Sequence, residues 1–595
     1  MKWTVAVLAA LTPLLALLAW TFWRMPYPIN EAVAIFEDVA RKSPQQFLIA
    51  DTTYYRPLYH LSIMGIWLHA GALGARLAWI KVLHLAPMVA LPLLLVWHLR
   101  PRDLRTAVAA IVAAAVLIGS PGYRDNLEIP LAYTAVGMFL ALIVWMQLES
   151  APRSWRSWLI IVLTVIAIGF KEQGLVIVPV IVVAWWMGAR GATPRLVGGV
   201  VALTLAYLAY RFHYRSHWGA FQQSMGLGFS IIEAREAVGR FGAFPYGMYA
   251  YNSVSTMLNV LFDEPTAGLY FITRNLRFGG IQPWEVINLG SSALLTGIIG
   301  WAAWRVLSGR ARALSPIEPR AYGAMLIALL ASGALSFQYS RDRLGGMAAV
   351  FYALAAYFAF LQLDTWRGAS RGVLRGMATL ALVAVAAGWA VRAYGTVEWV
   401  RRTSEMNHQG WLSQLAPRRQ RFADRAVYVE IMESMVAQGI DPSAPRPTRR
   451  PYWLATALLP QPPGSEKDTL TYSPADAISR GDLDATYELI RKGWDPDQLI
   501  AAGDNSLTRG RTVLISPLVW AVAQRQREIV GELLAFGAHV DRPANRMAPC
   551  VADALNDSDL ADLLRKYPGA IDTDQCPVWT RQVPLQLPVV APSVE

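Results

Sequence analysis

Ionisable residues that could carry out chemistry collect in polar segments, each of which follows a long apolar run. A carboxylate there can take the proton from an attacking hydroxyl group, and arginine or lysine can neutralise charge developing on a leaving group. Charged groups are costly beside a hydrocarbon layer, which makes them functional candidates. They suit a substrate with an anionic, lipid-linked leaving group and a hydroxyl or amine acceptor. The segments hold Glu31, Asp51 and Arg56; Arg124, Asp125 and Glu128; Lys171 and Glu172; and Arg341, Asp342 and Arg343.

The apolar runs indicate a lipid bilayer. Of the 595 residues, 54% are hydrophobic and 16% charged, whereas soluble domains carry about 25% charged residues. The net charge of +12 would suit nucleic acid, but the arginines fall in short loops between apolar runs, which is how a polytopic membrane protein is oriented. We therefore expect no nucleic-acid partner. Eleven runs are long enough to cross, or nearly so: 3–23, 76–99, 106–120, 130–148, 157–170, 173–188, 195–212, 284–304, 320–337, 345–363 and 373–391.

The loops alternate in charge, and this predicts their sidedness. If Lys2 and an uncleaved first helix begin in the cytoplasm, every arginine-rich loop (100–105, 149–156, 188–195, 305–312 and 366–375) also faces the cytoplasm. The four polar segments then face outward. All arginine-rich loops fall on the cytoplasmic side of eleven crossings only if 57–74 does not cross the membrane. We therefore expect a helix on the outer face at 57–74. The runs 157–170 and 173–188 are predicted as two short helices that meet at Lys171 and Glu172.

The carboxy-terminal third reads as a different kind of structure. Positions 473–497 and 516–541 share a pattern, and 548–572 repeats it weakly. The pattern resembles ankyrin repeats, helix pairs that bury their apolar faces only against a neighbour. We predict an all-α fold: a membrane domain at 1–395, a proline-rich linker at 396–470, a repeat domain at 471–575 and a tail at 576–595. Cys550 and Cys576 are compatible with a disulfide in an oxidising compartment, or with two unrelated thiols.

Two stretches carry a family resemblance. They are "YRPLYHLSIMGIWLHAGALGARLAWIKVLH" at 55–84 and "GFKEQG" at 169–174. Both resemble segments of the transmembrane O-mannosyltransferases that carry tetratricopeptide repeats, which are membrane glycosyltransferases of the GT-C fold. "MPYPINEAVAIFEDV" resembles the family's acidic turn, with Asn30 in place of one of the two usual acids. "GSPGYRDNLEIP" occupies the place of a family loop whose histidine is missing here.

The resemblance implies transfer of a sugar, with inversion, from a polyprenyl-phosphate donor to a protein, lipid or polysaccharide acceptor. The loop charges predict a cytoplasmic amino terminus and a carboxy-terminal domain outside the cytoplasm, and the arginine-rich loops with the ankyrin-like tail suggest a bacterial inner-membrane protein with that domain in the periplasm. Glu31 is expected to act as general base, and Asp51 as a positioning group or alternative base. Arg56, Lys171, Arg341 and Arg343 would face the lipid phosphate. Asp125, Glu128 and Glu172 would bind acceptor or sugar, or Asp125 and Glu128 a divalent cation (Mg²⁺ or Mn²⁺) if one is used.

Several of these residues also have a purely structural interpretation. Glu31 could be a solvated loop acid, Asp51 a helix cap, and Arg341 and Arg343 anchors for lipid headgroups. The aromatic-rich segment 213–283 could form an acceptor groove, a lid or an interfacial pair of amphipathic helices.

Two other functions of the whole protein compete with glycosyl transfer. A transporter or lipid flippase should show related halves and charges near mid-membrane, which the sequence lacks. A scaffold would use the repeats to bind a partner and the membrane domain as an anchor.

Overall fold

A computed structural model describes most of the chain. The described residues are 2–28, 42–49, 56–128, 134–214, 225–227, 230–232, 246–262, 283–419 and most of 473–577, with a few isolated positions elsewhere. Glu31, Asp51 and most of the predicted linker lie outside them.

The described chain is mainly helical. Its α-helices are α1 Lys2–Trp23, α2 Pro44–Ile49, α3 Pro57–His69, α4 Leu73–Leu99, α5 Leu104–Ile118, α6 Pro121–Asn126, α7 Ala135–Leu148, α8 Ser154–Phe170, α9 Ile177–Trp186, α10 Pro194–Tyr214, α11 Tyr246–Phe262, α12 Pro283–Leu307, α13 Ile317–Leu335, α14 Gly346–Ala369, α15 Gly372–Arg419, α16 Pro474–Ser479, α17 Leu483–Arg491, α18 Pro517–Ala523, α19 Arg527–Ala535, α20 Ala548–Ala554 and α21 Ser558–Arg565.

Each of the eleven apolar runs coincides with one of these helices. By length and composition, five described helices could cross a membrane: Lys2–Trp23, Leu73–Leu99, Val286–Leu307, Asp342–Ala369 and Gly372–Ser404. Several others are apolar but shorter, so the count of eleven crossings stays a prediction. The 13 residues of α3 rise about 1.5 Å each, too little for a hydrocarbon core of about 30 Å. This length agrees with the expectation that 57–74 does not cross.

Helix α14 forms the centre of the bundle. Its residues are buried without a break from Gly346 to Leu363, because α5, α12, α13 and α15 pack around it. A helix that is apolar on all sides is stable only in such a position. On the outside of the bundle, exposed tryptophans occur near both helix ends, as in the aromatic belts of membrane proteins: Trp20, Trp23 and Trp79 near one end, and Trp97, Trp186 and Trp304 near the other.

The arginine-rich loops meet at one end of the bundle, which we call the basic end. Thr4 Oγ1 donates to the carbonyl of Pro101 over 3.4 Å, and the amide of Gly191 donates to the carbonyl of Leu148 over 2.7 Å. Arg105 reaches the carbonyl of Leu361 over 2.7 Å. The helix ends at 118, 126, 170 and 346 lie at the opposite end, which we call the mixed-charge end.

The carboxy-terminal part forms its own core. Three consecutive helix pairs, α16–α17, α18–α19 and α20–α21, pack around the buried Trp520. Between the first two pairs, the chain forms an antiparallel hairpin of strands Ile500–Ala502 and Val513–Ile515, so the fold is not purely helical. Cys550 and Cys576 are joined by a disulfide. Leu587, from the predicted tail, is buried in this core. Whether the pairs are ankyrin repeats stays a prediction.

Two further observations concern the predicted segments. Helix α15 continues through position 395, the predicted end of the membrane domain. Within the long segment 213–283, the described parts are α11 and an antiparallel hairpin of strands β1 (Met225–Leu227) and β2 (Ser230–Ile232).

Candidate active site

The mixed-charge end brings separate polar segments together. Helix α6 follows α5 after a two-residue turn, and its residues are buried beneath the start of α14. The chain is extended at Lys171 between α8 and the 3₁₀ turn Glu172–Val176. It is extended again at Arg341, before the 3₁₀ turn Asp342–Gly345. The break between α8 and α9 therefore occurs at Lys171, where two short helices were predicted to meet.

Glycines permit the close backbone approaches in this region. A Cβ atom on Gly122 would lie 2.8 Å from the Cα and N atoms of Gly346. A Cβ atom on Gly174 would lie 2.3 Å from the carbonyl carbon of Ala167 in α8. Distances below 3.0 Å to backbone atoms leave no room for a side chain. These two glycines thus hold the polar turns against their helices.

Arg56 and Glu172 form a bidentate ion pair. The guanidinium Nε and Nη2 donate to the two carboxylate oxygens over 3.1 and 3.2 Å. Arg56 precedes Pro57 at the amino terminus of α3, where proline presets the helical φ. Burial raises the pKa of Glu172, but the charges of Arg56, Arg211 and Lys171 outweigh burial and lower this pKa to about 2. Glu172 is therefore an anion that fixes the orientation of Arg56.

Lys171 lies deeper, next to this pair. Its Nζ donates to Thr134 Oγ1 over 3.2 Å. Burial, together with the positive charges of Arg56 and Arg343, lowers the pKa of Lys171 well below its usual value. An anion that entered this position would favour the protonated lysine and gain a charge-assisted hydrogen bond.

Asp125 connects α6 with the segment before α14. Its Oδ2 accepts a hydrogen bond from the backbone N–H of Arg343 over 2.7 Å, and its carboxyl group hydrogen-bonds the side chain of Glu128. Burial raises the pKa of Asp125, but Arg343, Glu128 and Arg341 outweigh it and lower the pKa. The backbone N–H of Arg343 and the Glu128 side chain thus both hold the Asp125 carboxyl group in place.

The neighbouring Asp342 is held by two other helices. Its Oδ1 accepts from Asn259 Nδ2 of α11 over 2.9 Å, and its Oδ2 lies 3.8 Å from Nη2 of Arg124. The Arg124 guanidinium in turn lies over the ring of Trp399, 4.9 Å from the centroid. Asp342 thus ties α6, α11 and the start of α14 into one unit.

Arg341 lies at the rim of the cluster. Its Nε donates to the hydroxyl of Tyr339, and the guanidinium lies over the Tyr339 ring. Burial raises the pKa of Tyr339, so its hydroxyl stays neutral and can accept this bond. On another side, Nη2 of Arg341 lies 3.7 Å from a carboxylate oxygen of Glu528 in α19. The carboxy-terminal domain therefore contacts the cluster.

The structure brings seven of the nine sequence-predicted binding and catalytic residues to one end. These are Arg56, Asp125, Glu128, Lys171, Glu172, Arg341 and Arg343. Glu31 and Asp51 lie outside the described residues. Within the described part of the chain, no three His, Cys, Asp or Glu side chains gather as a metal site would require, and a divalent cation stays a hypothesis.

Sequence reasoning missed several participants. Arg211 donates to the Tyr207 hydroxyl over 3.0 Å, and its charge acts on Glu172. Its place at the end of an apolar run was the signal that could have identified it. Thr134 and Asn259 carried no such signal, because neither is ionisable.

Two residues of the motif at 55–84 have structural contacts. Lys81 donates to the carbonyls of Trp23 and Met25 over 2.9 and 2.6 Å. His84 is buried and stacks on Phe22, as expected of a packed histidine.

Fold and site together define a helical membrane protein with a buried charged centre at one end of its bundle. Among solved structures, it is similar to the archaeal oligosaccharyltransferase AglB from Archaeoglobus fulgidus, in complex with an inhibitory peptide and a dolichol-phosphate. The match has 13% sequence identity and a TM-score of 0.35, and covers 82% of this chain and 68% of that chain. Such a TM-score does not establish a common fold. No protein-family model and no curated protein sequence matches the chain.

Proposed function

We propose that the protein is an integral-membrane glycosyltransferase. It would transfer a hexose or pentose from a polyprenyl-phosphate donor to a protein, lipid or polysaccharide acceptor. The reaction would take place at the outer, periplasmic face of a bacterial inner membrane and invert the anomeric centre. The observation that carries this proposal is the convergence of Arg56, Lys171, Arg341 and Arg343, from three separate chain segments, at one end of an apolar bundle.

These cations suit the phosphate of the donor. In the transition state, the bond between the sugar and the phosphate breaks while negative charge grows on the phosphate oxygens. Positive groups that are already in place stabilise this charge without further rearrangement. Among the cluster residues described above, the cations outnumber the carboxylates. These cations are Arg56, Arg124, Lys171, Arg211, Arg341 and Arg343, and these carboxylates are Asp125, Glu128, Glu172 and Asp342.

The carboxylates suit the acceptor. A general base takes the acceptor proton while the acceptor oxygen attacks the anomeric carbon from the side opposite the phosphate. The family resemblance assigns this role to Glu31, with Asp51 as its alternative. Asp125 and Glu128 hydrogen-bond each other, and they would bind hydroxyl groups of the sugar or acceptor. Glu172 would orient Arg56 and contact the sugar or acceptor.

The test is consumption of a lipid-linked sugar by the reconstituted full-length protein. We expect one member of a panel of radiolabelled polyprenyl-phosphate sugars to be consumed in vesicles. The substitution Arg343→Gln should reduce the rate at least about 100-fold, because it removes a fixed charge at the leaving group. Arg105→Gln at the basic end, where Arg105 pairs with Asp364, is the matched control and should retain the rate. Failure to consume any lipid-linked sugar, or equal rates for both variants, would refute the proposal.

A further inference from the structure

The carboxy-terminal domain places a carboxylate against the cation cluster. Glu528 lies in the first turn of α19, and its Oε1 is 3.7 Å from Nη2 of Arg341. The two side chains are 26% and 15% exposed, so both are largely removed from water. The same helix approaches β2, with Cα atoms of the two elements within 8 Å. Two separate contacts therefore join α19 to the mixed-charge end of the bundle.

We propose that Glu528 competes with the anionic substrate for Arg341, so that the carboxy-terminal domain docks on the charged end in the absence of a phosphate and is released when one binds. This inference rests on the proposed function for the identity of the anion. A carboxylate and a phosphate both accept from a guanidinium group, and both would bring negative charge to the same place. Arg341 is at the rim of the cluster, where a group from outside the bundle can reach it.

Linkage makes the competition quantitative. If Glu528 weakens phosphate binding by some factor, bound phosphate must weaken docking of α19 by the same factor. A half-buried ion pair of this kind corresponds to a factor of about five. The domain would then cover the charged cluster between reaction cycles and move aside as the donor enters.

The experiment measures amide hydrogen exchange and ligand affinity on the full-length protein in detergent, with polyprenyl phosphate as the probe. In Glu528→Gln, exchange in α19 should be about fivefold faster than in the wild type, and polyprenyl phosphate should bind about fivefold more tightly. Adding polyprenyl phosphate should accelerate exchange in α19 of the wild type and have little further effect in the variant. Unchanged exchange in α20 and α21 would establish that the domain is still folded.

Asp559→Asn is the matched control, because Asp559 is also an acid in the first turn of a helix of this domain but is exposed to solvent. It should leave both exchange in α19 and phosphate affinity unchanged, which separates competition from a loss of helix-dipole stabilisation. Equal polyprenyl-phosphate affinity in wild type and Glu528→Gln would overturn this inference and leave the proposed function standing. If neither protein binds polyprenyl phosphate, both ideas fall.

Discussion

The two ends of the bundle use charged residues in different ways. At the basic end, arginines are matched directly with carboxylates: Arg320 with Glu149 over 2.8 and 2.5 Å, and Arg105 and Arg367 with Asp364 over 2.5 and 2.8 Å. At the mixed-charge end, Lys171 donates to a threonine, Arg341 to a tyrosine, and Arg343 contributes its backbone N–H to Asp125. Arg56 and Arg341 also face carboxylates there, Glu172 over 3.1 Å and Glu528 over 3.7 Å, so this end mixes neutral and charged partners.

The difference underlies the proposed division into structural charges at the basic end and substrate-binding charges at the mixed-charge end. A buried ion pair whose two members satisfy each other stabilises one arrangement of helices and offers little to a ligand. A cluster with more cations than carboxylates keeps a net attraction for an incoming phosphate. Burial alone does not separate the two ends, because Arg320 and Lys171 are both buried. The balance of cations and carboxylates separates them.

The largest effect on stability should come from the basic end. In Arg320→Gln, Glu149 would lose its bidentate partner, although its side chain is only 4% exposed. An unpaired buried carboxylate costs about 3–5 kcal/mol, which thermal unfolding in detergent would measure. Sugar transfer per folded molecule should stay near the wild-type rate.

A double variant tests whether this pair is purely structural. Replacing both members by methionine, as Glu149→Met with Arg320→Met, should recover most of the lost stability, because an apolar pair carries no desolvation cost. A large loss of transfer in Arg320→Gln at normal stability would contradict the assignment of structural charges to the basic end.

A smaller loss of stability is expected from Gly174→Ala at the mixed-charge end. The new Cβ would overlap the backbone of Ala167 and Ile168, which cannot rotate away. Overpacking of this kind costs about 1–3 kcal/mol, and it should push Lys171 and Glu172 from their positions, so that sugar transfer falls more than stability does. Gly65→Ala is the control, since a Cβ there meets nothing within 4 Å. Normal transfer in Gly174→Ala would argue against a catalytic role of this turn.

The smallest effect is expected from two single cysteine substitutions, which test the side of the membrane that each end of the bundle faces. Ala72 and Arg102 are exposed residues that flank α4, one at each end of the bundle, and both native cysteines are bonded to each other. In intact bacterial cells, a membrane-impermeant thiol reagent should label Ala72→Cys and not Arg102→Cys. Labelling of both from outside would contradict the proposed orientation, and labelling of Arg102→Cys alone would reverse it.

Much of the helical organisation could be predicted from the sequence. Apolar runs mark the helices because backbone groups in a lipid or protein interior must be satisfied within the helix itself. The charge of the short loops sorted them into two groups, and these groups lie at opposite ends of the bundle. The break at Lys171 was visible because two adjacent charges interrupt two apolar runs.

Only the tertiary structure decided which charges meet. Arg56 pairs with Glu172 across 116 positions, and Asp125 accepts from Arg343 across 218. Such partners depend on how helices pack and on glycines that let backbones approach, which no local pattern encodes. The contact between Arg341 and Glu528 is harder still to predict, since it depends on where a second domain docks. Sequence determined the helices and the two kinds of loops, because these follow from local polarity. Packing decided which charged groups meet, because that depends on distances between distant segments.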